Sequence, residues 1–237
     1  MTDRMGAAPE QSDGPMVFVN DVEAPELDPG DLHHLRRVLR VRDGEQIVCC
    51  DGVGNWRLAR FDECPESTSE VAHVQAPVER LGVGFALLKG DRPELIVQKL
   101  TELGIDWIQP LICDHNVIRW SEEKARRNTE RLQAVARSAS MQCRRTWLPH
   151  VELPCGIPQA MNHSPAAVAR ADKFGEPLSA GIHTLLVGPE GGWSTAEQSV
   201  DGPTVRIAEH MLRAETAAIA AGTLLSAVRD GLILPTR

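Results

Sequence analysis

Between His183 and Gln198 the chain reads His-Thr-Leu-Leu-Val-Gly-Pro-Glu-Gly-Gly-Trp-Ser-Thr-Ala-Glu-Gln, and no other stretch limits the possible folds so tightly. Leu185, Leu186 and Val187 form a short unbroken apolar run, the pattern of a buried strand. Gly188-Pro189 ends it and Gly191-Gly192 follow. Without a Cβ the backbone there turns sharply, and a ligand can reach main-chain groups. Ser194 stands three residues before Glu197, the spacing of a capping box that opens a helix. Strand, glycine turn and capped helix together predict a ligand cradle, although for a glycine turn alone an ordinary βα connection is the better reading. Neither G-x-G-x-x-G nor G-x-x-x-x-G-K-S/T occurs here, which disfavours a dinucleotide site and a P-loop.

A second stretch lies close behind. Thr204–Ala208 predicts another short strand, and Glu209-His210 leads into Met211–Arg229, a run of helical composition. Its interior from Ala217 to Gly222 is built of small residues, which permit close backbone approach. At 237 residues, 42% hydrophobic and 24% charged, the chain has the make-up of a soluble protein of one or two domains. Residues 1–15 hold no apolar core and predict a disordered tail rather than a signal peptide. No apolar run approaches the length of a membrane span. Cys49, Cys50, Cys64, Cys113, Cys143 and Cys155 include no C-x-x-C and read as reduced thiols, without a metal site, in a cytoplasmic protein. The net charge of −8 argues against broad nucleic-acid binding. Two basic islands qualify that. Residues 31–42 carry four arginines against Asp31, and residues 119–145 carry eight Lys or Arg against three Glu. Either island alone is as well explained by a solvated helix face.

In chain order, Met16–Asn20 predicts a strand, and Leu32, Leu35, Val38 and Leu39 fall at helical spacing across 31–41. Asp43-Gly44 and Asp51-Gly52 are turn signals around Glu45–Cys50, and Asn55–Phe61 predicts a further strand. Residues 62–70 read as a loop, and Val71–Gln75 as a last strand of this part. From Gly82 the pattern changes to alternating strands and helices, the sign of an α/β layer. Val83–Leu88 is a strand, Pro93 opens a helix that Gly104 closes, Ile105–Ile112 is the next strand, and Ser121–Cys143 is a long basic helix. These breaks divide the chain into a tail over 1–15, a small β-barrel over 16–78 and an α/β domain over 79–237.

"LLVGPEGGWS" followed by "IAEHMLRAETAAIAA" resembles the cofactor-binding end of SPOUT methyltransferases, and specifically the 16S ribosomal RNA uracil-N3 methyltransferase (RsmE-type) family. "KGDRPELIVQKLTELGIDWIQPL" resembles that family after its first strand, and "SASMQCRRTWLP" resembles its Q-x-x-R segment, which maps onto Gln142 and Arg145. "HHLRRVLRVRDGEQIVCCDG" resembles its N-terminal PUA-like RNA-binding barrel. The resemblance thins between Glu152 and Gly181. It implies a trefoil-knotted C-terminal α/β domain working as a homodimer, without metal or membrane. It also implies transfer of a methyl group from S-adenosyl-L-methionine to N3 of a uridine in 16S rRNA, within the 30S subunit.

On this resemblance Leu186, Val187, Gly188, Pro189, Glu190, Gly191 and Gly192 line one wall of the cofactor site, and Ile207, Ala208, Met211, Leu212, Thr216 and Ala217 the other. Uracil N3 carries a proton, so the site must accept that proton or stabilise the imide anion. Arg213, whose guanidinium can donate to two carbonyl oxygens, is the electrostatic candidate. Glu215 accepts the proton, orients Arg213, or serves the start of the helix. Arg36, Arg37, Arg40, Lys89, Lys99, Gln142 and Arg145 are candidates to hold phosphate or base, each with a solvated or ion-paired alternative. Lys99 has Glu102 one turn away. Trp193 either stacks on a base or packs on the core. Three positions depart from the family: Ala208 where a glycine is usual, and His210 and His115 where arginine is common. Another SPOUT RNA methyltransferase, acting on a ribose hydroxyl or on tRNA, and a noncatalytic RNA-binding factor are the alternatives.

Overall fold

The computed structural model describes Pro9, residues 12–164 and residues 166–234, and the chain divides into two units. One holds the described residues up to Pro77 together with Arg137–Leu148; the other holds Val78–Ala136 and the chain from Pro149 onward. Over 137–148 these compact units differ from the division expected from the sequence, a domain over 79–237. The reason is packing. Arg137 donates to Asp31 Oδ1 at 3.0 Å and to Phe18 O at 3.1 Å, and Met141 packs against both core clusters of the first unit. Most of the expected tail lies outside the described residues, but Arg144 donates to the carbonyls of Pro9, Ser12 and Gly14, so these residues are held.

The first unit is one five-stranded sheet: β1 (Met16–Phe18), β2 (Gln46–Cys50), β3 (Asn55–Arg60), β4 (Glu66–Ser67) and β5 (Ala72–His73). β1 runs parallel to β2, and both β4 and β5 pair with β3. The β2–β3 hairpin turns where expected. Asp51 Oδ1 accepts the amides of Val53 and Asn55 at 2.8 and 3.0 Å, while Gly52 and Gly54 take φ of +81° and +101°. Alternate residues go to opposite faces, and both faces are covered. Val17, Ile47, Cys49 and Ala59 join Leu35 and Phe61 on one; Met16, Phe18, Val48, Cys50 and Trp56 pack on the other. That burial pushes the Cys49 and Cys50 thiols up to about 12.

The helix expected over 31–41 forms only in part, as a short α-helix that passes into a wider turn over His34–Val38. α1 (Pro29–His33) starts on Asp28, whose side chain accepts the Asp31 amide at 2.8 Å, a bond that holds the Asp28 carboxyl below its usual range. After His33 the coil widens: Leu39 N–H donates to His34 O at 3.0 Å, five residues back, and Arg40 ends the turn at φ 57°. Leu35 is buried, but Val38 and Leu39 are 60% and 49% exposed, so the apolar spacing overran the element.

The second unit is a six-stranded parallel sheet in the order β11-β9-β10-β6-β7-β8. Its strands are β6 (Gly82–Ala86), β7 (Trp107–Leu111), β8 (His150–Val151), β9 (Val168–Glu176), β10 (Thr184–Val187) and β11 (Thr204–Val205). With them run α2 (Arg92–Glu102), α3 (Glu122–Cys143), α4 (Ile157–His163), α5 (Thr195–Gln198) and α6 (Ala214–Arg229). β6, β7 and β10 are buried throughout, as unbroken apolar runs demand in a parallel sheet. The chain lays β7 and β8 outward on one side of β6, and β10 and β9 on the other. The carboxyl ends of β6 and β10 are thus the point where the direction of winding reverses, the place where open α/β sheets hold ligands. The small residues of α6 have a packing use: a Cβ on Gly222 would stand 2.7 Å from Leu100 Cδ2 of α2.

Further elements differ from the sequence reading. The strand expected over 204–208 is only Thr204–Val205, and α6 begins at Ala214 rather than Met211, with Arg213 as its extended N-cap residue at ψ 153°. α4 and the nine-residue β9 were not read from the sequence at all.

Candidate active site

β10 delivers the glycine turn to its carboxyl end, and the turn is fixed from three directions. Ser194 caps α5, with its Oγ accepting the Glu197 amide and Glu197 Oε2 accepting the Ser194 amide at 2.8 Å, the reciprocal box the spacing predicts. Asp114 locks onto that box, its carboxylate 2.5 Å from Ser194 Oγ and its amide 2.9 Å from Glu197 Oε1. His115 Nδ1 lies 3.1 and 2.9 Å from the carbonyls of Gly191 and Gly192; with acceptors on both, this nitrogen carries the proton. Trp193 is buried and donates Nε1–H to Ala171 O at 3.0 Å. Its ring backs directly on Gly188, where an added Cβ would stand 3.0 Å from Trp193 Cε2.

In front of this turn is a cavity of about 410 Å³. Gly188, Pro189, Gly191 and Gly192 form one wall, and Ile207, Ala208, Met211 and Leu212 with Ala217 face them. The two stretches singled out from the sequence therefore meet around open space. Because α6 starts only at Ala214, Met211 and Leu212 stand in the loop before it and not on its surface. Val187 also lines the cavity, whereas three expected residues do not. Leu186 alternates to the opposite face of β10 and packs with Trp107 and Leu111. Glu190 turns toward Arg92, 3.5 Å away, and Thr216 points out from α6. A third wall was missed: Ala171, Asp172, Lys173 and Phe174 of β9, with Phe174 89% exposed at the rim. Nothing in the polar, unalternating run Ala171–Glu176 signalled a strand. His210 lines the cavity too.

Arg213 and Glu215 flank the start of α6. Arg213 is exposed and pairs with no acid among the described residues. Glu215 is half-buried. Its Oε2 lacks a hydrogen-bond partner among the described residues and lies 3.8 Å from Arg92 Nη1. Arg92, inside the quoted "KGDRPEL" segment but not singled out, thus stands between Glu190 and Glu215. Of the RNA candidates in this unit, Lys89 is exposed at the end of the loop after β6, and Lys99 pairs with Glu102 at 2.8 Å. In the first unit Arg36 pairs with Asp43 and Glu63, both at 3.3 Å, and lies over the Phe61 ring. Arg37, Arg40 and Gln142 are exposed, while Arg145 is half-buried. Among the described residues no group of three His, Cys, Asp or Glu is placed to hold a metal ion, and no helix is long and apolar enough to cross a membrane.

Comparison with known proteins agrees with this geometry. A family model described as an RNA methyltransferase domain matches residues 74–226, and one described as an RNA methyltransferase PUA domain matches residues 27–62. The chain is 30% identical to the ribosomal RNA small subunit methyltransferase E of Synechocystis sp., over 97% of this chain and 79% of that protein. It is 31% identical to the protein of the same name from Mycobacterium tuberculosis, over 82% and 83% of the two chains. A methyltransferase of Legionella pneumophila solved with bound S-adenosylmethionine superposes with a TM-score of 0.81 at 24% identity, covering 92% of this chain and 98% of that one. The ribosomal RNA small subunit methyltransferase E of Neisseria gonorrhoeae, bound to S-adenosylmethionine, superposes at 0.75 with 25% identity, covering 91% and 98%.

Proposed function

The chain belongs to the RNA methyltransferase family that includes ribosomal RNA small subunit methyltransferase E, and from that premise we propose that it methylates N3 of one uridine in 16S rRNA, using S-adenosyl-L-methionine. The observation that carries the proposal is the meeting of the glycine turn after β10 with the Ile207–Leu212 loop around one cavity. The residues present fit the cofactor. About 410 Å³ lies within the roughly 300–1,000 Å³ usual for small-molecule sites. Glycine walls expose main-chain donors and acceptors for an adenosine, and Val187, Ile207 and Leu212 offer apolar surface. Asp172 supplies a carboxylate for the ammonium of the amino-acid arm.

When bound, the cofactor supplies a methyl group on a sulfonium, open to in-line displacement by a nitrogen lone pair. The chain's own residues must make that lone pair available. Glu215 has a buried carboxylate oxygen without a hydrogen-bond partner among the described residues, suited to take the N3 proton. Arg213, exposed and without an acidic partner among the described residues, is free to donate to a uracil carbonyl as negative charge gathers on the ring. A substrate within the 30S subunit sets the work in the cytoplasm, and the family resemblance supports a homodimer.

The test is to incubate the protein with labelled cofactor and 30S subunits from a strain lacking the endogenous enzyme, then map the modified nucleoside by mass spectrometry. Label as N3-methyluridine is the expected outcome; label on a ribose, or none, overturns the proposal. Arg213→Ala slows transfer by about 10²-fold or more while leaving cofactor affinity intact, and Glu215→Gln slows transfer by as much.

A further inference from the structure

A second cavity, of about 320 Å³, opens beside the first turn of α2, the loop Leu88–Gly90 and the N-terminal half of α3. The methyl-transfer reading gives it no task. Lys124, Asn128 and Arg131 reach it from α3 at spacings of four and three residues, so they share one helix face. Lys89 joins them from the loop, and Trp120 contributes a half-buried indole that also packs against the core of this unit. Glu94 is the one acid among the described lining residues. It pairs with Arg131, yet its Oε2 is buried and accepts no hydrogen bond from the described residues.

These groups ask for different parts of a single ligand. The cations suit a phosphate. The indole suits the face of an aromatic base, and packing against the core of this unit supports it. The orphaned Glu94 oxygen can accept a hydrogen bond, and the Watson–Crick edge of a nucleobase provides an N–H donor for it. The volume sits at the lower end of the usual range for small-molecule sites, roughly 300–1,000 Å³. We propose that this cavity is a second RNA contact, taking one unpaired ribonucleotide with its base on Trp120 and Glu94 and its phosphate on Lys89 and Lys124. The source of that nucleotide, the RNA being methylated, rests on the reading above; the binding does not.

The experiment titrates AMP, GMP, CMP and UMP in turn into the full chain by calorimetry, with S-adenosylhomocysteine at saturation to occupy the first cavity, and repeats the titration with inorganic phosphate. At least one nucleotide binds one-to-one, and phosphate binds at least tenfold more weakly. Trp120→Ala weakens the nucleotide roughly tenfold by loss of stacking. Lys124→Glu, at an exposed position that cannot disturb the core, weakens it as well, and both variants keep their affinity for S-adenosylmethionine. Failure of every nucleotide to bind, equal affinity for phosphate, or indifference to Lys124→Glu overturns the proposal. Loss of rRNA methylation with nucleotide binding retained would count against the methyl-transfer reading and leave this site standing.

Discussion

Arg92 joins two stretches of the candidate site that lie far apart in sequence, with its Nη1 3.5 Å from Glu190 Oε1 and 3.8 Å from Glu215 Oε2. Its side chain is 43% exposed, so the pairs add no more than about 1 kcal/mol to stability. Their effect is positional: they keep the glycine turn and the start of α6 at a fixed separation. Arg92→Gln should leave the melting temperature nearly unchanged yet weaken S-adenosylmethionine binding several-fold. Arg92→Lys should recover only part of that, because the shorter lysine side chain does not carry its ammonium out to the place Nη1 takes between the two carboxylates. Wild-type affinity in Arg92→Gln would remove the positioning role. The buried thiols give a prediction in pH. Cys49 and Cys50 are raised from 9.0 to about 12 by burial, so folding favours their protonated form. The stability they contribute is complete below pH 9 and is lost as pH rises toward 12. At pH 8 the native protein should therefore be alkylated by iodoacetamide at exposed Cys64 well before Cys49 or Cys50, which label only after unfolding. Early labelling of either buried thiol would show that the strand opens locally.

Among the elements, those specified by local chemistry were the ones legible beforehand. The capping box of α5 needs only Ser194 and Glu197 three residues apart, and the β2–β3 turn needs only Asp51 and its glycines, so both could be read from a few letters. β9 could not. Val168–Arg170 pair with β10, while the polar residues after them are strand only because β11 lies alongside; Gly175 lies so close to β11 that a Cβ would stand 2.6 Å from Val205 N. That pairing is tertiary, and it hid a whole wall of the cavity. The opposite error occurred at 34–39, where helical spacing predicted burial for Val38 and Leu39 and the widened turn left them exposed. The glycine turn invites a test at this scale. In Gly188→Ala the new methyl meets the Trp193 ring at about 3.0 Å, and that ring cannot retreat because Nε1–H is held by Ala171 O. The turn must shift instead. The expected result is a roughly tenfold or greater loss of S-adenosylmethionine affinity with the α/β core still folded by circular dichroism, and unchanged affinity would mean that the turn does not shape the site.

For the whole molecule, the instructive fact is that the first unit is not contiguous in sequence. A cut placed by composition, where strand-rich sequence gives way to alternating strands and helices, falls close to Pro77 and misses Arg137–Leu148. Those twelve positions read as the end of a basic helix and its tail, and nothing local marks them as belonging with the strands. Their chemistry does so only in the folded chain. The Arg137 guanidinium is held by Asp31 and raised in pKa by that bond, Met141 fills gaps in both clusters, and Trp147 Nε1–H donates to Val74 O at 2.8 Å. A chain of residues 78–237 alone would keep Arg137, Met141 and Trp147 but lose every one of these partners. Stripping the carboxylate from a half-buried arginine and uncovering the apolar surface of Met141 and Leu148 each cost on the order of 1–3 kcal/mol. Together that is a large part of the about 5–15 kcal/mol by which a domain is usually stable. The truncated chain should therefore melt well below the full one, with the last two turns of α3 exchanging amide protons fastest. Arg137→Ala in the full chain should reproduce part of that loss. If residues 78–237 melt at the temperature of the whole protein with α3 protected to Cys143, the segment belongs to the α/β unit after all.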